Sequence, residues 1–220
     1  MTDRPLVPGP VYGLRTWLVD GSPGAERLVG VHARTPWPEG GAELVAVCTV
    51  TAAHVPPVPG CTCGLYAWHP SRAAARRVCG VRGEIPGILE ATGALEVHDD
   101  GFRAARGRPH ALVALPGRNL ALIERLAAAY DAEVLRLRRP DDLADHCAEH
   151  GLGLTPAVVE QLVGRDRVER GRRDRRRRAL AAGLKVAALV LALAAIGAVA
   201  HGHTEHGKIL HGRAGEVRVP

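Results

Sequence analysis

The first half of the chain consists of short apolar or alternating runs that glycine and proline separate. Runs of this length, rich in valine and leucine and bounded by turn residues, are typical of β-strands. The predicted strands cover residues 12–19, 27–32, 44–47, 65–68, 78–81, 88–91, 95–97 and 112–115. Their close spacing predicts a small, mostly antiparallel β barrel or sandwich over residues 11–116.

The pattern changes to a helical period after residue 116. Leucines and alanines that recur every three or four residues predict helices, and Thr155 followed by Pro156 is typical of a helix N-terminus. The predicted elements are a helix over 118–130, a strand over 132–137, and helices over 141–150 and 155–163. Residues 117–164 are therefore predicted to form a helical (α-β-α) part after the β-rich part, which gives an α+β fold class.

An apolar stretch over residues 179–200 contains one charge, Lys185, and follows a basic segment at 165–178. A helix of this length crosses a hydrocarbon core of ~30 Å. Basic residues beside a span stay on the cytoplasmic side, and nine arginines against three acidic residues give this segment a charge of +6. We therefore expect one C-terminal transmembrane helix, held to anionic lipids in a bacterial cell membrane. The alternative is a buried alanine-rich helix beside an arginine patch that binds nucleic acid.

These segments divide the chain into six parts. They are a flexible N-terminus at 1–10, a β-rich cytoplasmic domain with a metal site at 11–116, a helical α/β extension at 117–164, a basic juxtamembrane segment at 165–178, the transmembrane helix at 179–200 and a histidine-rich external tail at 201–220. Residues 1–10 lack an apolar core of signal-peptide length, so we expect no cleaved export signal. The frequent Ala, Arg, Gly, Val and Pro suggest a GC-rich bacterial genome.

The strongest chemical signal is a group of three thiols and one imidazole within sixteen residues. Cys48, His54, Cys61 and Cys63 follow the spacing C-x5-H-x6-C-x-C. Four donors of these types have the number and identity that tetrahedral zinc requires. In the reducing cytosol that we expect, cysteines bind metals or fill small apolar positions more often than they form disulfides. The sequence therefore predicts a structural zinc site.

Other interpretations of the same residues remain open. If only the two cysteines of the C-x-C pair have a functional role, Cys48 is a core residue and His54 is a loop residue. Thiolates also bind iron–sulfur clusters. His69 and Cys79 are reserve ligands, although we expect both to be ordinary structural residues.

Two signatures in the chain resemble a family of uncharacterised actinobacterial proteins. The first combines Trp37 and Pro38, the Cys48 and His54 positions, and CTCGLYAW at 61–68. The second lies in ILEATGALEVHDDGFRAARGRPHAL at 88–112 and contains Gly-Phe-Arg-Ala. The resemblance covers residues 12–115, and Thr92 occupies a position where that family often has tryptophan. The resemblance supports the boundary of the β-rich part and the motif residues, and it does not supply a function.

A second polar group lies at His98, Asp99, Asp100 and Arg103. A histidine beside a carboxylate suits general-base catalysis. Asp and Gly between two apolar runs are also typical of a hairpin turn, and we favour the turn. Neither a glycine-rich phosphate loop nor a nucleophile elbow occurs in the sequence.

The tail carries four histidines and one glutamate within eleven residues, at positions 201, 203, 205, 206 and 211. Imidazoles at this density bind zinc, copper or nickel. A flexible polar tail is the alternative that we prefer, because chain termini are usually disordered.

These observations together predict a membrane-anchored cytoplasmic protein with a structural zinc-type site. We expect it to bind a protein or small-molecule partner at the inner membrane face, and we do not expect an enzyme. A metal-dependent enzyme that uses the Cys/His site is the first alternative. A nucleic-acid-binding protein is the second, and it is disfavoured because the whole charge excess lies in residues 165–178.

Overall fold

Seven strands and four helices lie in residues 9–51 and 54–164, which together with Arg173 are the part of the chain that the computed structural model describes. In chain order they are β1 (Val11–Asp20), β2 (Arg27–Val29), β3 (Leu44–Val45), β4 (Leu65–Trp68), α1 (Arg72–Gly80), β5 (Glu84–Val97), β6 (Gly101–Ala114), α2 (Leu120–Ala129), β7 (Glu133–Arg136), α3 (Asp141–Glu149) and α4 (Pro156–Val163). All of them belong to one compact unit, Met1–Val168, and Glu169–Pro220 is the second unit.

β6 is the central strand of one seven-stranded sheet. One edge of β6 pairs with β5, which in turn pairs with β1, and β1 carries β2. The other edge pairs in succession with β4, β3 and β7. The β6–β7 pair is parallel and the other pairs are antiparallel. β1 and β4 also meet, at the single residue pair of Leu14 and Trp68.

The predicted fold class is therefore wrong. The chain does not place an antiparallel barrel or sandwich before a separate helical part, because β7 joins the same sheet and makes it mixed. A strand that follows a helix and returns parallel to β6 extends the edge that β3 and β4 already occupy. The described part of the chain is one mixed sheet with four helices.

Alternate residues of the long strands enter two separate hydrophobic cores, as the two-residue period of a strand requires. Leu112 of β6 lies in the first core, together with Trp17, Phe102 and the buried face of α2. Ala111 and Val113 lie in the second core, with residues of α1 and α3. The sheet is thus covered by apolar side chains on both faces.

The hairpin predicted at Asp99 to Gly101 is confirmed. The amide N of His98 donates to the carbonyl of Gly101 at 2.8 Å, between β5 and β6. The runs at 88–91 and 95–97, predicted as two strands, form one long strand with two irregularities in its register. Bulges of this kind let a strand bend without ending.

Residues 78–81 lie largely in α1, so the strand predicted there is wrong. The Oγ of Ser71 accepts a hydrogen bond from the amide N of Ala74 at 3.1 Å and caps the helix. The buried residues of α1 have helical spacing, and they are Ala74, Ala75, Val78 and Cys79. A four-residue apolar run is too short to distinguish a strand from one half of such a face.

The elements predicted after residue 116 are confirmed to within a few residues. Asn119 caps α2 and Thr155 caps α4 through their side-chain oxygens. Pro156 occupies the first turn of α4, where its missing N–H costs little. α4 ends before Gly164, which has a φ of 88°.

No helix within residues 9–51 and 54–164 is long and apolar enough to cross a bilayer. This finding contradicts two predictions. One is the fold class, because it includes a transmembrane helix, and the other is the localisation as a single-pass protein of the bacterial cell membrane. The stretch 179–200 and the histidine-rich tail at 201–220 lie outside the described residues, as does the basic segment 165–178 apart from Arg173. The six-part division of the chain stays a prediction.

Candidate metal centre

The loop between β3 and β4 starts and ends at neighbouring positions of β6. Val45, the last residue of β3, pairs with Arg106, and Leu65, the first residue of β4, pairs with Ala104. Both ends of the loop are therefore held side by side on one strand. Residues that lie a few positions inside the two ends are brought together although they are distant in sequence.

Four side chains of this loop converge. The donor atoms of Cys48, His54, Cys61 and Cys63 all lie within 4.8 Å of one another. The Sγ atoms of Cys48 and Cys61 are 3.7 Å apart, and the Nε2 of His54 is 3.2 Å from the Sγ of Cys63. The thiols are free, because a disulfide requires about 2.05 Å between sulfurs. These four residues lie close enough to hold a metal ion.

A tight turn places the C-x-C pair. The amide N of Cys61 donates to the carbonyl of Val58 at 3.1 Å, and Gly60 has a φ of 83°. Proline at the second position and glycine at the third position are typical of a type II turn, and Pro59 and Gly60 occupy these positions. The turn reverses the chain so that the Cys61 thiol points back toward Cys48.

The guanidinium of Arg103 supports the loop from β6. It donates to the carbonyls of Cys61 and Cys63, the latter at 2.9 Å, and it forms an ion pair with the carboxylate of Glu96. Arg103 is 4% exposed. A buried cation is stable when it is paired and hydrogen-bonded, and both conditions hold here. One side chain from the sheet thus holds the backbone carbonyls of both cysteines in the C-x-C pair.

Gly64 completes the approach of the loop to the sheet. Its φ is 119°, which disfavours any residue with a Cβ. A Cβ built there would lie 3.1 Å from the Cβ of Arg103 and 3.3 Å from the Cβ of Pro57. Glycine at this position therefore lets the loop come within reach of the Arg103 guanidinium.

The pKa values of two thiols move in opposite directions. The amide N of Thr51 donates to the Sγ of Cys48 at 3.4 Å and lowers the pKa of that thiol. Burial raises the pKa of the Cys63 thiol, and the neighbouring Cys61 raises it further. A bound cation favours the thiolate form of each cysteine ligand, so binding a metal here releases protons.

The reserve ligands lie elsewhere. The Nε2 of His69 is 2.9 Å from the carbonyl of His98, next to the β5–β6 hairpin. Cys79 and Cys147 are buried in the second core, where burial raises the pKa of each thiol to about 11. These two cysteines fill small apolar positions.

A cavity of about 780 Å³ lies beside the loop. Thr62, Cys63 and Gly64 form part of its wall, and Arg15 of β1 and Trp37 form another part. Sequence reasoning did not identify this cavity or Arg15. One signal was present in the sequence. Arg15 lies two residues before Trp17 in a strand, and residues two apart lie on the same face of a sheet.

Comparison with known proteins does not identify the chain, since no family model, curated protein or solved structure matches it. The resemblance to uncharacterised actinobacterial proteins therefore stays a prediction. The geometry of the four side chains and of the cavity beside them is what indicates a function for the chain.

Proposed function

We propose that the chain is a binding module in which a structural zinc ion at Cys48, His54, Cys61 and Cys63 fixes one wall of a ligand cavity. The observation that carries the proposal is that four donor atoms lie within 4.8 Å of one another. They all come from the β3–β4 loop, which also lines the cavity. Binding of the metal and the shape of the cavity are therefore linked.

The distances within the cluster support zinc. Tetrahedral zinc with Zn–S bonds of about 2.3 Å and Zn–N bonds of about 2.0 Å places two sulfurs about 3.8 Å apart and a sulfur and a nitrogen about 3.5 Å apart. One sulfur–sulfur separation here is 3.7 Å and one sulfur–nitrogen separation is 3.2 Å, and all the separations among the four donors are within 4.8 Å. Small movements of the side chains are enough to reach the zinc geometry.

The number of ligands supports a structural role for the ion. A catalytic zinc site keeps one position open for water, whereas a structural site uses four protein ligands. Here four protein donors are available. His54→Cys tests this directly, because a structural site with four thiolates keeps its metal and its fold. In the alternative of a metal-dependent enzyme, the same variant would lose turnover.

Groups outside the four ligands also support the site. The guanidinium of Arg103 donates to the carbonyls of Cys61 and Cys63, and the carboxylate of Glu96 balances its charge. Outer groups of this kind orient the ligands and tune their affinity.

The test is the metal content of the full chain, purified without chelators under anaerobic conditions. We expect one zinc per chain and a fall in Tm when a chelator is added, because the free energy of metal binding stabilises the folded state. The Cys61→Ser/Cys63→Ser double variant loses the zinc. Cys79→Ala, which removes a thiol from the second core, keeps it. A wild-type chain with neither zinc nor iron, or a double variant with full zinc, would contradict the proposal.

A further inference from the structure

The cavity beside the loop contains an arginine without a counter-charge. The Nη1 of Arg15 donates to the carbonyl of Tyr66 at 2.5 Å, and its guanidinium carbon lies 5.2 Å from the centre of the Trp37 ring. Its Nε is fully covered and has no hydrogen-bond acceptor. Among the described residues no carboxylate lies within ion-pair distance of Arg15, whereas Arg103 and Arg108 each have one.

The position of Arg15 follows from the sheet. β1 and β4 pair at one position, Leu14 with Trp68, so their backbones are not joined by a ladder on either side of it. The guanidinium of Arg15 bonds the backbone of β4 at Tyr66, two residues from that pair. A guanidinium has five N–H groups, and this carbonyl uses one of them. Nε is covered by the protein, so the donors available to a ligand in the cavity are those of the Nη atoms that the described residues leave without an acceptor.

The side chain keeps its charge at neutral pH. Burial lowers the pKa of Arg15 to about 10, which is still far above neutrality. A cation that is removed from water and has no partner is unfavourable. It is retained in proteins where an anion completes the site.

The rest of the cavity defines the ligand. Its volume of about 780 Å³ falls in the range of small-molecule sites. Its apolar lining includes Trp37, Leu44, Ala67 and Trp68, which suits an aromatic or aliphatic body. Asp100 also lines the cavity and disfavours a second negative charge on the ligand.

We propose that this cavity binds a small monocarboxylate with an apolar body, and that the carboxylate pairs with the guanidinium of Arg15. A planar carboxylate matches the two parallel N–H groups of a guanidinium, whereas a phosphate dianion brings more charge than one arginine balances. This inference rests on the proposed function, since the zinc-binding loop forms one wall of the cavity.

The experiment is isothermal titration of the full chain with three acids of different shape, namely benzoate, trans-cinnamate and octanoate. The primary amide of each acid has the same shape without the charge, and phenyl phosphate supplies a dianion. We expect at least one acid to bind with a Kd below about 10 mM, and its amide and phenyl phosphate to bind at least tenfold more weakly. If none of the three acids binds, or if acid and amide bind equally, the proposal is overturned. Tighter binding of phenyl phosphate would reassign the site to phosphate.

Two substitutions of Arg15 test its part in binding. Arg15→Met removes the charge, and Arg15→Lys keeps the charge but removes the planar pair of donors. We expect each to weaken binding of the acid at least tenfold, and the Arg15→Met variant to melt at the same temperature as the wild type or higher. The matched control is Arg77→Met, because Arg77 also stacks on a tryptophan, Trp68, but is exposed and does not line the cavity.

A drop in the Tm of Arg15→Met with unchanged affinity for the acid would show that Arg15 is structural and would overturn the proposal. Zinc content is measured in each sample, so that the two proposals are judged separately. A chain with one zinc and no affinity for any acid refutes only the carboxylate site. A chain that binds the acid without zinc refutes only the metal site.

Discussion

Two arginines of the sheet, Arg103 under the β3–β4 loop and Arg15 in the cavity, have opposite surroundings. Arg103 donates to the carbonyls of Cys61 and Cys63 and is paired with Glu96. Arg15 bonds one carbonyl, stacks on Trp37 and has no carboxylate partner among the described residues. Both lie on the same sheet, but Arg103 is 4% exposed, whereas Arg15 is half-buried with its Nε fully covered.

The difference separates a structural cation from a cation in a binding site. All the interactions of Arg103 are supplied by the protein, so its role is to hold the loop. Arg15 has more N–H donors than the described residues have acceptors for them, so its position costs stability until an anion binds. The four donor atoms of the candidate metal centre all come from the chain, whereas the described residues supply no anion for Arg15.

The largest expected effect belongs to Arg103→Met. This change removes the arginine partner of the Glu96 carboxylate, which keeps the His98 Nε2 at 3.7 Å, and it removes the donor to the carbonyls of Cys61 and Cys63. Breaking a buried ion pair in this way costs about 3–5 kcal/mol of unfolding free energy, and loss of an outer group lowers metal affinity about 10–100-fold. Urea unfolding and competition with a zinc chelator measure the two effects.

Arg106→Met is the control for this variant. Arg106 lies on the same strand, but its side chain is 55% exposed and 3.9 Å from the carboxylate of Glu43. We expect a change below about 1 kcal/mol and normal zinc affinity. Equal losses in both variants would remove the structural role that we assign to Arg103.

Gly64→Ala tests the close approach of the loop to Arg103. The new Cβ meets the Cβ of Arg103 and that of Pro57, at a backbone φ of 119°. Strain of this kind costs about 1–3 kcal/mol, and we expect weaker zinc binding because the loop shifts. Gly80→Ala in α1 is the control, since a Cβ there meets no atom within 4 Å. A thermal melt in which both variants match the wild type would contradict the predicted strain.

Tyr130→Phe tests the support behind Trp37, the ring on which Arg15 stacks. The Tyr130 hydroxyl accepts from the amide N of Leu28 at 2.8 Å and donates to the carbonyl of Trp37 at 3.4 Å. The change leaves a buried N–H without an acceptor, and we expect a loss of about 1–2 kcal/mol. Tyr66→Phe, at an exposed hydroxyl, should cost less in the same urea titration.

The smallest expected effect on the ligand-free protein belongs to Arg15→Met. The change removes an unpaired cation and one hydrogen bond, so we expect an unfolding free energy equal to that of the wild type or greater. Set beside Arg103→Met, it gives the sharpest form of the comparison. If both variants lose stability to the same extent, the two arginines have the same role and the comparison fails.

The sequence predicted the local features of the site better than the sheet around it. The spacing of Cys48, His54, Cys61 and Cys63 was sufficient to select four side chains that do converge. Their convergence depends on β3 and β4 meeting the same edge of β6, a pairing between distant residues that no local pattern specifies.

The errors have similar causes. Residues 78–81 lie largely in a helix that Ser71 caps and the alanines after it begin. The prediction considered only the short apolar run at 78–81, which does not distinguish a helix from a strand. β7 was predicted as a strand, but only its parallel pairing with β6 makes the sheet mixed. Arg15 was overlooked because a charged residue in an apolar strand is usually assigned to the solvent face.

X-ray absorption of the zinc-loaded full chain tests the central claim most directly. The account predicts three sulfur ligands at about 2.3 Å and one nitrogen ligand at about 2.0 Å, with one sulfur fewer in the Cys63→Ser variant. A first shell made only of oxygen and nitrogen, or a spectrum that the Cys63→Ser substitution leaves unchanged, would contradict it.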